Sequence, residues 1–236
     1  MSDDLNQFLA SHPATAERPL LGLTVLLVED SRFASEAMRL LCLRSGARIR
    51  RADCLRSAHR HLATYRPGVV VVDMGLPDGS GADLIREIRA MSPNGPAIIG
   101  LSGDPGMETE ALEAGADAFI PKPLESLAMF QHVVLSVLPS AARPVGLRPV
   151  SDETVAPDRL ALRDDLSHVA QMLAASPDRA ALGYVAHFLA GLARSAHDDD
   201  LESAAEAIGG PVMPSTAALS KLSGLVQARL AAASGF

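Results

Sequence analysis

The sequence has few aromatic residues, almost no cysteine and no long apolar run. Tryptophan is absent and aromatics make up 3% of the 236 residues, so a core must be built mainly from Ala, Leu and Val. Cys42 and Cys54 have no paired spacing, which argues against a disulfide framework and a zinc site. We expect both to be buried as small apolar residues. Without about 18 consecutive apolar residues or a basic-then-apolar start, we expect no membrane span, no signal peptide and a cytoplasmic protein.

Basic residues are also scarce relative to acidic ones. The chain has 21 Lys and Arg against 28 Asp and Glu, a net charge of -7. Residues 151–236 contain 6 basic and 11 acidic side chains, which gives this part -5. Nucleic-acid binding draws most of its affinity from clustered Lys and Arg that neutralise phosphates. The charge balance therefore disfavours nucleic acid as a partner.

The first part of the chain alternates short apolar runs with amphipathic segments of helical length. Apolar runs at 24–28, 69–72, 97–101 and 118–120 are typical of buried parallel strands, and 47–51 of a more exposed one. The segments between them favour helices at 31–45, 54–64, 81–91, 106–115 and 124–138. Five repeated βα units predict an α/β fold with a doubly wound, five-stranded parallel sheet.

The second part of the chain has a helical pattern. Four prolines in 138–158 predict a linker, because proline blocks both helix continuation and sheet pairing. Helices are then predicted at 158–175, 178–197, 199–208 and 215–233, which together suggest an all-α bundle. We therefore divide the chain into an N-terminal extension (1–21), the α/β domain (22–139), a proline-rich linker (140–157) and a helical domain (158–236).

Polar residues stand where the predicted strands end. Glu29 and Asp30 follow the first strand, Asp73 ends the third, Ser102 ends the fourth and Lys122 follows the fifth. The carboxyl ends of parallel strands meet at one edge of the sheet, where ligands bind. Three carboxylates gathered there repel one another unless a cation lies among them, and Mg²⁺ prefers such oxygen ligands. This pattern predicts a Mg²⁺ site at which the Asp73 carboxylate can attack phosphorus.

The same motifs resemble the receiver domain of two-component response regulators, which has a flavodoxin-like fold. The resemblance covers residues 22–138 and rests on VLLVED, VVVDMGLPDGSG, GLSG and GADAFIPKP in that order. It implies Mg²⁺-dependent phosphorylation of an aspartate, a histidine kinase or phosphotransfer protein as the phosphoryl donor, and a downstream protein partner that the sequence does not identify. Such a protein is a signalling phosphoacceptor rather than an enzyme in the usual sense.

The resemblance also assigns roles to single residues. It implies that Asp73 is the phosphoacceptor, that Glu29, Asp30 and Asp73 hold the metal with the carbonyl of Gly75, and that Ser102 and Lys122 contact the phosphate. Phe119 is implied as the aromatic that moves with Ser102, and Gly103 leaves its backbone N–H approachable. Position 75 often carries a larger side chain in this family, so its glycine would let water reach the acyl phosphate more easily.

The helical part contains a histidine that lies off the predicted packing stripe. The helix predicted at 178–197 has its apolar stripe at Val185, Leu189, Leu192 and Ala196. His187 instead shares its face with Gly183, Ala190, Gly191 and Arg194. The run YVAHFLAGLARSAHDDDLESAAEAI resembles the histidine phosphotransfer module, a four-helix bundle, which implies a phosphorylated His187. The usual lysine three residues after the histidine is replaced by Ala190.

Three interpretations of the whole chain follow. In the first, phosphorylation of Asp73 switches a helical output domain that relays phosphate or binds a protein partner. In the second, the receiver controls a docking or dimerisation module without phosphotransfer. A DNA-binding transcriptional regulator is the third, which the acidic charge disfavours.

Overall fold

The computed structural model describes residues 14–92, 95–144, 151–210 and 212–233. Most of the predicted N-terminal extension, 1–13, and part of the predicted linker, 145–150, lie outside the described residues. Where the extension is described, Leu20 is buried in the core of the α/β part.

The central sheet has five parallel strands, as the sequence predicts. Its order is β2-β1-β3-β6-β7, formed by β1 (Thr24–Val28), β2 (Arg48–Ala52), β3 (Val69–Asp73), β6 (Ala97–Ser102) and β7 (Ala118–Pro121). All five residues of β3 are buried, since helices cover both faces of the sheet at its centre. β2 lies at an edge, and its exposed arginines fit that position.

Five helices connect and cover these strands. They are α1 (Arg32–Ser45), α2 (Leu55–Thr64), α3 (Gly81–Met91), α4 (Met107–Ala114) and α5 (Leu127–Val137). Hydroxyl side chains of Ser31, Ser80 and Ser126 accept backbone N–H groups at the starts of α1, α3 and α5, which satisfies donors that a helix leaves free. The predicted doubly wound α/β fold is confirmed.

Two local features differ from the predictions. Residues Gly75–Leu76 (β4) and Gly79–Ser80 (β5) form a small antiparallel hairpin directly after β3, where no strand was predicted. Strands of two residues are too short to show an alternating pattern. Cys54 is partly exposed at the N-terminal end of α2 rather than buried within a helix, whereas Cys42 is buried as expected.

The C-terminal part is helical, as predicted. Its helices are α6 (Arg159–Ala174), α7 (Arg179–Ser195), α8 (Asp199–Glu206) and α9 (Thr216–Ala233). Each packs on two of the others in the cyclic order α6-α7-α8-α9. Asp158, Asp178 and Asp198 cap the first three, and Leu and Ala side chains fill the shared core. We refer to residues 159–233 as the bundle.

The bundle packs against the α/β part through α1. Helices α6 and α7 both contact α1, and Phe33 at the start of α1 is buried in the hydrophobic core of the bundle. Within the predicted linker, Leu127 N–H donates to the Glu153 carbonyl and Val155 N–H donates to the Glu125 carbonyl. Val155 is buried in the hydrophobic core that includes residues of the sheet, α1 and α5. This stretch therefore holds the chain close to the sheet before the bundle begins.

Within the described parts of the chain, none of the helices combines the length and the apolar character needed to cross a membrane.

Candidate functional site

Three carboxylates meet at the carboxyl edge of the sheet. Glu29 and Asp30 follow β1, Asp73 ends β3, and these strands are direct neighbours. One oxygen from each carboxylate lies within 4.8 Å of the other two. We call Glu29, Asp30 and Asp73 the acid cluster. The strand order thus brings together residues that are 44 positions apart in the sequence.

Lys122, which follows β7, reaches the same cluster. Its Nζ lies 2.6 Å from Oε2 of Glu29 and donates a hydrogen bond of 3.0 Å to Oδ2 of Asp73. Its side chain is 9% exposed, so water screens these charges weakly. A compact ammonium group therefore bridges two of the three acids.

Burial and mutual repulsion perturb the proton affinities of this cluster. Burial raises the pKa of Glu29 well above its usual value, although the Lys122 charge opposes this. Burial and the charge of Asp73 raise the pKa of Asp30 to about 6. Burial lowers the pKa of Lys122, but the carboxylates of Asp73 and Glu29 outweigh that effect and raise it above its usual value. Glu29 and Asp30 are costly to ionise here, so a divalent cation would stabilise the cluster.

The donor set fits a hard cation. Glu29 Oε1 accepts the N–H of Ser31, but the buried Oε2 makes only the ion-pair contact with Lys122 and lacks a hydrogen-bonding partner among the described residues. Carboxylate oxygens are the ligands that Mg²⁺ prefers, and Mg²⁺ retains waters at its other positions. Asp30, Asp73 and the adjacent backbone of Gly75 line one open cavity, so these residues can hold such an ion.

The predicted switch residues lie on the neighbouring strands. Ser102 ends β6, pairs with Pro121 of β7 and is fully buried, and its Oγ accepts the N–H of Asp104. Gly103 lines the cavity beside the acid cluster. Phe119 in β7 is partly buried against the core on one face of the sheet. The structure thus brings Ser102 and Gly103 to the edge where the acids lie, and Phe119 to the strand next to them.

The bundle covers this edge, which the sequence did not predict. The hydroxyl of Tyr184 in α7 donates a hydrogen bond of 2.6 Å to Oδ2 of Asp30. The two residues are 154 positions apart, and no motif connects them. Burial and the Asp30 charge both raise the pKa of Tyr184 above its usual value, so the phenol stays protonated as the donor. A residue of the bundle therefore contacts a member of the acid cluster directly.

His187, one helical turn after Tyr184, lies against Gly75. A Cβ built on Gly75 would overlap Nε2 and Cδ2 of the His187 imidazole. The imidazole thus occupies the space of the side chain that position 75 lacks. His187 remains exposed to a cavity of about 620 Å³ that it lines together with the acid cluster and Lys122. Nothing among the described residues lies within 4 Å of a Cβ built on Gly183 or Gly191.

Arg194, two turns further along α7, joins the loop after β6 to the bundle. Its Nη1 donates to the carbonyl of Gly103, and its Nε donates to Glu202 of α8 at 2.8 Å. A Cβ on Gly103 would come 2.6 Å from Nη1, so the end of the Arg194 side chain would have to shift. Arg194 therefore lies at Gly103 and is already paired with an acid, rather than beside the imidazole of His187.

Asp165 of α6 completes the interface at the start of α1. Its carboxylate accepts hydrogen bonds from Ser31 Oγ at 2.8 Å and from the N–H groups of Arg32 and Phe33 at 3.0 Å each. A negative charge at a helix N-terminus is favourable because free N–H groups point toward it. Asp165 is 4% exposed, so these bonds hold the bundle next to the acid cluster.

Comparisons with known proteins agree with the α/β part. The family model described as "Response regulator receiver domain" matches residues 25–134. The KDP operon transcriptional regulatory protein KdpE of Escherichia coli is 31% identical over 56% of this chain, but the match spans only 59% of KdpE. The response regulator MprA of Mycolicibacterium vanbaalenii is 30% identical over 66% of this chain and 73% of MprA.

One solved structure is similar to the first half of the chain. The signal receiver domain of a signal transduction histidine kinase from Syntrophus aciditrophicus is 26% identical over 55% of this chain and 99% of that one, with a TM-score of 0.46. The comparisons lend no support to the resemblance of residues 158–236 to a histidine phosphotransfer module. Motifs, sheet order and relatives agree for the first half, and the chain belongs to the response regulators, with its receiver domain at residues 25–134.

Proposed function

We propose that Asp73 accepts a phosphoryl group in a Mg²⁺-dependent reaction and that its phosphorylation state switches the bundle. The observation that carries this proposal is the acid cluster, three carboxylates within 4.8 Å, with the Lys122 ammonium 3.0 Å from Asp73. Phosphoryl transfer to an aspartate needs a carboxylate beside both a metal site and a cation, and Asp73 has this position.

The residues of the cluster have distinct roles in this reaction. An oxygen of Asp73 attacks the phosphorus of a phosphohistidine or a small acyl phosphate, the bond to the donor breaks, and an acyl phosphate forms on Asp73. Glu29, Asp30, Asp73 and the Gly75 carbonyl would hold Mg²⁺, which would supply positive charge to the transferring group. Lys122 neutralises a further phosphate oxygen. The natural donor is a histidine kinase or a phosphotransfer protein.

The switch in this proposal acts through the loop after β6. A phosphoryl group adds about two negative charges beside Asp73 and attracts the hydroxyl of Ser102. Phe119 then moves into the space that Ser102 leaves. Because Arg194 of the bundle donates to the carbonyl of Gly103, a shift of this loop reaches α7 directly. The output is thus a change in how the bundle contacts the receiver domain and, through it, a protein partner.

A transcriptional role also has some support, from the names of relatives such as KdpE. Direct contact with DNA is disfavoured, because residues 151–236 hold 11 acidic and 6 basic side chains. We therefore assign protein binding to the bundle, with transcription as a downstream effect where it occurs.

A second candidate function is phosphate relay through His187. It is favoured by one observation, that His187 and the acid cluster line the same cavity. In this reaction Nε2 of His187 attacks the phosphorus, the P–O bond to Asp73 breaks, and a P–N bond forms. The open space beside Gly183 and Gly191 leaves room for the phosphoryl group. Ala190 in place of the usual lysine leaves such a phosphohistidine without an adjacent cation.

Metal removal tests the main proposal. We expect the full chain to incorporate ³²P from labelled acetyl phosphate in the presence of Mg²⁺, and to lose this label completely when EDTA is added first. The label should be base-labile, as an acyl phosphate is. Labelling that persists in EDTA would show that the acid cluster does not act through a divalent cation.

The relay candidate has a separate readout. If His187 exchanges phosphate with Asp73, part of the ³²P should be stable to base and labile to acid, and His187→Ala should remove that part alone. His168→Ala is the matched control, because His168 also lies in the bundle but stacks edge-on against Phe188. Absence of acid-labile label from a chain that is labelled at Asp73 would reject the relay and leave the docking function.

A further inference from the structure

The bundle touches the receiver loops after β1, β3 and β6, which contribute to the proposed metal and phosphate site. Four side chains on two helices make these contacts: Tyr184 with Asp30, Asp165 with residues 31–33, His187 with Gly75, and Arg194 with Gly103. A bundle that was joined to the receiver domain only by a flexible linker would show no such pattern. Its docking is therefore linked to whatever occupies the site.

We propose that the docked bundle is a cap that competes with a divalent cation for the acid cluster, and that the hydroxyl of Tyr184 is the competing group. This inference rests on the proposed function and adds a regulatory step to it. The closed arrangement is the form without metal, and cation binding loosens the bundle.

The first argument is the hydrogen bond on Asp30. Asp30 is a proposed metal ligand, and its Oδ2 accepts the Tyr184 hydroxyl at 2.6 Å. A carboxylate oxygen that already gives electron density to a strong donor is a poorer ligand for a cation. The bond is well shielded, since Tyr184 and Asp30 are both partly buried. A cation that binds Asp30 must weaken this bond or break it.

The second argument is the contact of His187 with Gly75. The acid cluster and the bundle line one cavity of about 620 Å³, which has room for a cation and its waters. Beside Gly75, however, the His187 imidazole fills the space that a side chain would take. Because the carbonyl of Gly75 is a proposed ligand, a cation bound there would lie next to the docked α7.

Charged residues around the cavity carry both signs. The carboxylate of Asp165 keeps its negative charge while Ser31 and two N–H groups of α1 donate to it, and Glu206 also lines the cavity. Arg194 is positive and pairs with Glu202 and Glu206. The acids of the docked bundle attract a cation, so the proposal requires that the contacts of Tyr184 and His187 outweigh this attraction.

Because cation binding and docking of the bundle are linked equilibria, the competition can be measured through either one. If docking weakens cation binding by some factor, cation binding weakens docking by the same factor. Removal of the Tyr184 hydroxyl should raise metal affinity, and addition of metal should expose the N–H groups of Arg32 and Phe33 that donate to Asp165.

The direct test is a titration of the full chain with Mn²⁺, followed by electron paramagnetic resonance of the free ion. We expect Tyr184→Phe to bind Mn²⁺ about three- to tenfold more tightly than the wild type, the range expected for loss of one competing hydrogen bond. Tyr65→Phe is the matched control. It removes the hydroxyl of the other tyrosine in the chain, which lies outside the cavity, and should leave the affinity unchanged.

A second variant opens the interface without altering a contact of Asp30. Asp165→Asn removes the charge that caps α1 and loosens docking, which should raise the Mn²⁺ affinity by more than the loss of one negative charge lowers it. Asp164→Asn is its control, because Asp164 forms only an exposed ion pair with Arg32, which contributes little. In the wild type, Mn²⁺ should also speed hydrogen exchange of the Arg32 and Phe33 amides, which donate to Asp165 of the docked bundle.

The outcomes separate this inference from the function on which it rests. A wild-type chain that takes no label at Asp73 and binds no Mn²⁺ would overturn both. A chain that is labelled and binds Mn²⁺, but whose affinity Tyr184→Phe leaves unchanged, would overturn the cap alone. Weaker Mn²⁺ binding by Tyr184→Phe would also overturn it, since Tyr184 would then support Asp30 as a ligand.

Discussion

Asp73→Asn is expected to abolish labelling of the full chain by acetyl phosphate and Mg²⁺. The asparagine amide has nearly the same shape as the carboxylate and can still accept the hydrogen bond from Lys122. It has no anionic oxygen to attack phosphorus, and it removes one charge from the proposed metal site. We therefore expect no ³²P above background, while the circular dichroism spectrum stays that of a folded chain.

Asp104→Asn is the matched control for this loss. Asp104 lines the same cavity but is exposed and lies outside the acid cluster, so its variant should be labelled like the wild type. Base-labile phosphate that survives Asp73→Asn would place the phosphoacceptor elsewhere. Loss of label in both variants would instead indicate a general disturbance of the cavity.

The receiver half of the site could be expected from the sequence because its geometry follows from strand order. Buried parallel strands are nearly continuous apolar runs, so Val69–Asp73 is recognisable as a strand and Asp73 as its end. Once β1 and β3 are neighbours, Glu29, Asp30 and Asp73 must converge. The short β4 and β5 hairpin was missed because two-residue strands carry no periodic pattern.

The contacts between the two parts could not be derived in this way. Asp165 bonds to Ser31 across 134 positions and Tyr184 to Asp30 across 154, and neither pair belongs to a repeating pattern. Helical periodicity indicates which face of α7 is apolar, but not which surface the other face meets. Two indirect signals existed, an exposed-face histidine among small residues and a glycine at position 75. Only the structure shows that the imidazole of His187 occupies the space above Gly75.

Gly75→Ala should have the second large effect, the undocking of the bundle. The added Cβ would overlap the His187 imidazole, and overpacking of this kind costs about 1–3 kcal/mol. We expect hydrogen exchange of the Arg32 and Phe33 amides, which donate to Asp165 in the docked state, to accelerate about tenfold or more.

Gly183→Ala and Gly191→Ala are matched controls on α7, where an added Cβ meets open space. They should leave these amides protected, and the gain in helix propensity should stabilise the bundle by up to about 1 kcal/mol each.

A double variant distinguishes this overlap from a general effect of alanine on the hairpin. His187→Ala removes the ring that the new Cβ would strike, so Gly75→Ala combined with His187→Ala should recover most of the protection that Gly75→Ala loses alone. Such recovery would be an energetic coupling between two residues that are 112 positions apart in the sequence. Residues whose side chains are not in contact seldom show such a coupling. If the double variant exchanges as fast as Gly75→Ala, the backbone of the hairpin rather than the imidazole is responsible. In that case the bundle would undock for a reason other than contact between the added methyl group and His187.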